Sequence, residues 1–305
     1  MAKLSRQVKE IIKTILFFGF IALLVFAYVI YPLTRTKTLM ARQDLGDRDK
    51  DSLVVNDPAS FAEAGLTADT LRIEADGLTK LACLYISPED SATAIRGTAI
   101  ILHDDGDNRD SLAALVVALN DSGYVVMAYD QRASGRTTGI YRGAGYYEAR
   151  DVEAVISYLE IRNMIRHPLF VVGYGLGADA ALLAAREEQR IDGIVMINPY
   201  LTVQRYQDIL KRDHLTFWFP FQRTIMFWWY KIRSGYAPVY TKVGDIQPVD
   251  RPALMIVSGN NMSDAEVQKL QEVSSPELLK VAPMPVDPPA VYDEIVAFLS
   301  AQESS

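Results

Sequence analysis

Residues 169–178 read Leu-Phe-Val-Val-Gly-Tyr-Gly-Leu-Gly-Ala: an apolar run enters a glycine-rich corner, and an alanine-rich stretch follows. A strand that turns sharply into a helix through G-x-S-x-G lifts a serine hydroxyl clear of a sheet, where it can attack a carbonyl carbon. Gly173, Tyr174, Leu176 and Gly177 take the flanking places of that pattern, and Gly175 takes the place of the serine. A glycine has no side-chain atom with which to form an acyl intermediate, so the corner is expected without its chemistry.

Two neighbouring hydroxyls, Tyr174 and Ser134, could stand in for the serine only beside a base. The histidines are His103, His167 and His214. His103 sits at the end of an apolar run, where a structural hydrogen-bonding role is expected. His167 precedes Pro168 ahead of a strand, and His214 lies in an aromatic segment. The loop Asp104-Asp105-Gly106-Asp107-Asn108-Arg109-Asp110 is dense in carboxylates, but its glycine comes too early for a D-x-[DN]-x-[DN]-G calcium loop. It reads as an acidic loop capping the next helix; no metal and no cofactor is expected. Cys83 is the one cysteine, so no intrachain disulfide can form.

The elements that would position these groups alternate. Strand-like runs at 71–74 and 81–86 are joined by Asp76-Gly77, a hairpin signal. Further strands are expected at 98–102, 125–129, 170–173, 193–197, 253–257 and 278–281. Helices are expected at 111–122, 146–162, 178–188, 203–211, 264–273 and 289–301. Strands alternating with helices predict an α/β fold with a mostly parallel central sheet and helices on both faces. Near-continuous apolar runs such as Thr98-Ala-Ile-Ile-Leu102 suit strands covered on both sides.

Half of the 305 residues are hydrophobic, enough for a large core, and the formal net charge is −7. With no excess positive field to neutralise phosphates, a nucleic-acid partner is not expected. From 14 to 34 no residue is charged, which is 21 residues against the roughly 20 needed to span a bilayer. The run is too long for a signal-peptide core and lacks a small-residue cleavage site. The expected organisation is a basic tail (1–13), an N-terminal transmembrane helix (14–34), a juxtamembrane linker (35–68) and a folded domain (69–305). Lys3, Arg6, Lys9 and Lys13 precede the span and Arg35, Lys37, Arg42, Arg48 and Lys50 follow it, so the basic counts nearly match; a short basic tail ahead of a first span usually stays cytoplasmic, and the domain is expected on the extracytoplasmic side.

Several local patterns in the folded region, in order, resemble the α/β-hydrolase superfamily, specifically its membrane-anchored, serine-aminopeptidase-like branch. Ile-Leu-His103-Asp104-Asp-Gly106 looks like the loop after the third strand that supplies one oxyanion N–H. Tyr129-Asp130-Gln-Arg132-Ala-Ser-Gly135-Arg-Thr137 resembles the family's D-x-R-G-x-G-x-S turn, and Asn198-Pro199-Tyr200 resembles the segment leaving the sixth strand. The resemblance implies a triad of serine, acid and histidine in that chain order. Gly175 replaces the serine, and Met262 stands where the acid belongs in Gly259-Asn260-Asn261-Met262. No histidine follows His214. No catalytic residue is therefore assigned. Gly175 and Met262 are degenerate positions, His103 and Asp104 a former oxyanion loop. Tyr174, Leu176 and His103 become candidates for holding a ligand in a site slightly enlarged by the missing side chain.

Residues 200–245 fall where the family carries lid elements, and they hold all three tryptophans. Phe217, Trp218, Phe219, Phe221, Trp228, Trp229 and Tyr230 are candidates for contact with a membrane surface or a protein partner, since such aromatics favour both. The expected role is a catalytically inactive, single-pass membrane protein acting as a binding or scaffold subunit of a membrane complex. A residual esterase, peptidase or acyltransferase with a noncanonical site is one alternative. A module binding an acyl chain or small apolar ligand is the other.

Overall fold

Eight strands among the described residues form one sheet in the order β1-β2-β4-β3-β5-β6-β7-β8 in a computed structural model of the chain. It describes residues 6–30, 65–88, 94–139, 142–143, 145–201, 250–258, 264–273, 277–285 and 288–303. The strands are β1 (Ala68–Asp76), β2 (Thr79–Ile86), β3 (Gly97–Leu102), β4 (Tyr124–Tyr129), β5 (Leu169–Tyr174), β6 (Gly193–Ile197), β7 (Ala253–Val257) and β8 (Leu279–Pro283). β2 runs antiparallel to both neighbours, β1 and β4; all other pairings are parallel. This is the mostly parallel α/β arrangement expected from the alternation of elements, with one antiparallel hairpin at its edge.

Side-chain alternation along each strand feeds two apolar clusters, one per face. Ile100 and Leu102 join Val171, Met127 and Tyr129 on the first face, under α3 (Tyr146–Ile161), α4 (Leu176–Glu187) and Leu270 of α5 (Asp264–Val273). Ala99 and Ile101 join Phe170, Val172 and Val126 on the second, under α2 (Ala113–Asp121) and α6 (Pro288–Gln302). The central strands are buried along their length, save the last residue of β5, Tyr174, as their unbroken apolar runs require.

The expected helix at 111–122 opens earlier, as a 3-10 turn over Arg109–Leu112. The Asn108 side chain accepts the Asp110 N–H at 2.9 Å and caps that turn. The helix expected at 203–211 lies outside the described residues, as does most of the linker.

By compactness the chain divides into two units, residues 1–39 with 207–238 and residues 40–206 with 239–305. The first contains α1 (Arg6–Val25), continued by a π-helical turn over Phe26–Ile30. The transmembrane expectation meets a different finding here: no helix among the described residues is long and apolar enough to cross a membrane. Arg6, Lys9, Glu10 and Lys13 occupy the first turns of α1, and the α-helical pattern ends at Val25, so only 14–25 is both uncharged and regular α-helix. The rest of the uncharged run passes through the wider turn to residues 31–34, outside the described residues.

Candidate functional site

Gly175 connects β5 to α4 with φ 50° and ψ −113°, a backbone conformation that side-chain-bearing residues rarely adopt. Its N–H donates to the Ile197 carbonyl at 2.9 Å, and its carbonyl accepts from Ala178 and Asp179 to begin the helix. Strand and helix cross closely here. A Cβ on Gly177 would lie 2.6 Å from the carbonyl oxygens of Leu102 and His103, and one on Gly173 would collide with the backbone of Gly177. The glycines on either side of position 175 are therefore required by backbone approach.

The space where a side chain at 175 would stand is filled. A Cβ built on Gly175 would fall inside the carboxylate of Asp104, which arrives from the loop after β3. Asp104 Oδ1 accepts the Leu176 N–H at 2.9 Å, the main-chain donor immediately after the elbow, and the Asp105 N–H at 2.7 Å. The Tyr200 hydroxyl donates to the carboxylate, 2.9 Å from each oxygen. Burial raises the Asp104 pKa, and the Leu176 and Tyr200 hydrogen bonds oppose the rise. Burial and the adjacent Asp104 charge push the Tyr200 phenol well up, so it remains a donor. The positive end of α4 faces the same carboxylate.

Two loops hold this pair in place. His103 is buried; its Nε2 accepts the Gln131 N–H at 2.9 Å, so its Nδ1 carries the proton and donates to the Asp104 carbonyl at 2.6 Å. The Gln131 side chain returns a hydrogen bond to the His103 carbonyl. Burial lowers the His103 pKa, which keeps the ring neutral with both nitrogens engaged. On the other side, Asn198 N–H donates to Ile256 O, and its side chain accepts the Ser258 N–H, both at 2.8 Å. Leu201 N–H donates to Asp179 Oδ1 at 2.8 Å, fixing the corner that aims Tyr200.

The other residues singled out by sequence are distributed as follows. Tyr174 is half-buried against the second apolar cluster, its hydroxyl pKa raised by burial. The Leu176 side chain is buried, and only its N–H faces Asp104. Ser134 is buried in the turn after β4, with its N–H on Gln131 O. His167 precedes the start of β5, at the opposite end of the sheet from Gly175, 2.9 Å from Asp192. His214, Met262, Phe217, Trp218, Phe219, Phe221, Trp228, Trp229 and Tyr230 lie outside the described residues.

The loop carboxylates are turned to different partners rather than to one centre: Asp104 to the elbow, Asp105 to Arg142, and Asp110 towards Arg109. Asp130 accepts the N–H groups of Arg109 and Arg136 at 3.0 and 2.8 Å. Arg132 forms a two-pronged pair with Asp151 of α3, at 2.8 and 2.5 Å, and stacks over the Tyr147 ring.

Two readings change at this point. The vacancy expected from glycine at 175 is taken up by Asp104, so the site is not enlarged. His103 is turned into the protein, away from any ligand in that space. The role of Asp104 was missed; its one sequence signal is a carboxylate in the loop that faces the elbow, in a chain whose elbow lacks a side chain.

The family described as serine aminopeptidase, S33, matches residues 93–246, half of the chain. No curated protein matches it. Among solved structures, an esterase of Pyrococcus furiosus is 19% identical, with a TM-score of 0.61 over 81% of this chain and 94% of that one. An esterase of Butyrivibrio proteoclasticus solved with ferulic acid is 15% identical, TM-score 0.58, over 77% of this chain and 100% of that one. Proline iminopeptidase of Mycobacterium smegmatis is 12% identical, TM-score 0.56, over 77% and 99%. At these identities the likeness concerns the fold.

Proposed function

The chain belongs to the serine aminopeptidase S33 family, and from that premise we propose that it is a member without hydrolytic activity, serving as a binding or scaffold subunit at a membrane. Acyl transfer in this fold needs a nucleophilic atom at the elbow, a histidine base, and N–H donors free to receive the oxyanion. The observation that carries the reading is Asp104: its carboxylate stands in the nucleophile's space and holds the Leu176 N–H. The neutral, doubly bonded His103 and the distant His167 support it, because neither is placed to take a proton from a group at position 175.

Membrane attachment rests on the uncharged run 14–34, whose 21 residues include the exposed apolar part of α1. In this reading the domain faces the extracytoplasmic side, the bilayer holds the N-terminal segment, and the aromatic segment 215–230 meets a membrane protein or the lipid surface. The net charge of −7 argues against nucleic acid as the partner.

The test is hydrolysis by the purified full-length chain of p-nitrophenyl acyl esters and aminoacyl naphthylamides, together with affinity purification from native membranes. No turnover above background and a stoichiometric protein partner are expected. Turnover abolished by substituting one residue of this chain would falsify the reading.

A further inference from the structure

Away from the elbow, one face of α3 carries charge without counter-charge. Arg150, Glu153, Ala154 and Ser157 recur at the spacing of a single helix face, and with Ala75 and Asp76 at the end of β1 they line a cavity of about 360 Å³. That volume falls in the range of small-molecule sites, about 300–1,000 Å³.

Arg132 also lines the cavity, with a side chain only 8% exposed. Its Nε and Nη2 are bound to Asp151 and Asp76, and its Nη1 makes no hydrogen bond among the described residues. Arg150 is exposed; its guanidinium lies 6.0 Å from the Tyr146 ring and forms no ion pair among the described residues. Glu153, three residues on, is exposed and likewise unpaired among the described residues. Ser157 accepts from Arg190 Nη2 at 3.1 Å and keeps its own proton to donate. Asp76, by contrast, is spent. Its Oδ1 accepts the Leu78 and Thr79 N–H groups at 2.9 and 2.7 Å, and its Oδ2 faces Arg132 at 3.3 Å.

The cavity thus offers two guanidinium groups with donors to spare, a hydroxyl donor and one free carboxylate. The guanidinium groups suit a carboxylate, whose two oxygens they can bind side by side. The free carboxylate suits an ammonium. A phosphate monoester would meet Glu153 as a like charge, and a bare cation would meet Arg150. Residues three apart on a helix have Cβ atoms about 5–6 Å apart, so the two free charges stand close enough to grip opposite charges carried on one carbon. Ala75, Ala154 and the Tyr147 ring supply an uncharged wall.

We propose that this cavity binds a free α-amino acid with an uncharged side chain, its carboxylate on Arg132 Nη1 and Arg150 and its ammonium on Glu153. Binding is reversible and involves no covalent step. The inference goes beyond the reading of a subunit without hydrolytic activity and is independent of it, because none of these groups stands at position 175.

The experiment titrates the full-length protein, in detergent, with L-leucine, L-leucinamide, N-acetyl-L-leucine and L-alanyl-L-alanine by calorimetry. L-leucine is expected to bind saturably. Leucinamide, which lacks the carboxylate, and N-acetylleucine, which lacks the ammonium, should each bind about fivefold more weakly or worse. Arg150→Ala should weaken leucine about fivefold and leave leucinamide unchanged; Glu153→Gln should weaken leucine about fivefold and leave N-acetylleucine unchanged. Ala154→Leu, which fills the space while keeping every charge, should abolish binding of leucine. Absence of saturable leucine binding overturns the proposal. So does an analogue that binds as tightly as leucine, or an Ala154→Leu variant of unchanged affinity. Tighter binding of the dipeptide overturns it too, since the site would then read charges set further apart. The analogue series on the wild-type protein decides the matter even if a variant fails to fold, and no reading of turnover enters.

Discussion

Restoring a serine at position 175 would displace the Asp104 carboxylate from hydrogen bonds that hold it to Leu176 and Tyr200. Losing such bonds to a charged group costs about 2–3 kcal/mol, so Gly175→Ser should lower the melting temperature by about 5–10 °C for a domain of this size. It should also show no esterase activity, since His103 cannot serve it; a fast p-nitrophenyl acetate turnover would sink the reading. Asp104→Gly added to Gly175→Ser relieves the steric conflict but not the loss of the Asp104 hydrogen bonds, so it should recover little of the lost stability and create no activity. A second residue-scale effect concerns pH. Asp110 is raised to about 6, first by burial, against the partial relief of Arg109. A raised carboxyl pKa means that the folded state holds the proton more tightly, so the contribution is complete below the unfolded value near 4 and is lost as pH rises through about 6. Asp110→Asn should therefore flatten the stability profile between those limits and gain relative to wild type at pH 8, read from urea midpoints across pH.

At the scale of elements, α3 is tied to the turn after β4 by the buried Arg132–Asp151 pair. Asp151→Ala leaves a buried guanidinium without its main partner and should cost about 3–5 kcal/mol, visible as a large fall in the urea midpoint. Asp151→Asn, which keeps an acceptor oxygen, should cost less. The elements themselves were readable in the sequence. The unbroken apolar runs of β3, β5 and β6 mark strands buried on two faces, and the strand expected at 278–281 is displaced only to Leu279–Pro283. The Asp76-Gly77 signal lies at the observed β1–β2 turn. What the sequence did not yield is the tertiary use of polar side chains. Asp104 reads as one of several loop carboxylates, because nothing local states that it will meet Leu176 and Tyr200, some 72 and 96 residues further along. The boundary at 109–112 shifted for a related reason, a side-chain cap at Asn108 that a periodic pattern does not encode.

For the whole molecule, the attachment proposed through 14–34 separates from the fold. The sheet and both of its apolar clusters are built from residues 66 onwards. A chain lacking residues 1–34 should stay in the supernatant after ultracentrifugation without detergent, with its far-UV circular dichroism per domain retained. The full chain should instead float with phospholipid vesicles, and flotation of the truncated chain to the same extent would overturn attachment through this segment.

The occupied elbow also has a historical dimension. If the protein is without hydrolytic activity, as proposed above, a lineage that turned to hydrolysis would have to gain a serine, a histidine and a free oxyanion donor. A serine gained first would be met by a carboxylate in its place, and the carboxylate lost first would leave a cradle with no nucleophile beside it. On the reading proposed above, either of these two first steps costs the present protein contacts that it has, and a valley then lies between it and hydrolysis. Such a valley leaves the surface free to be shaped by whatever the protein binds.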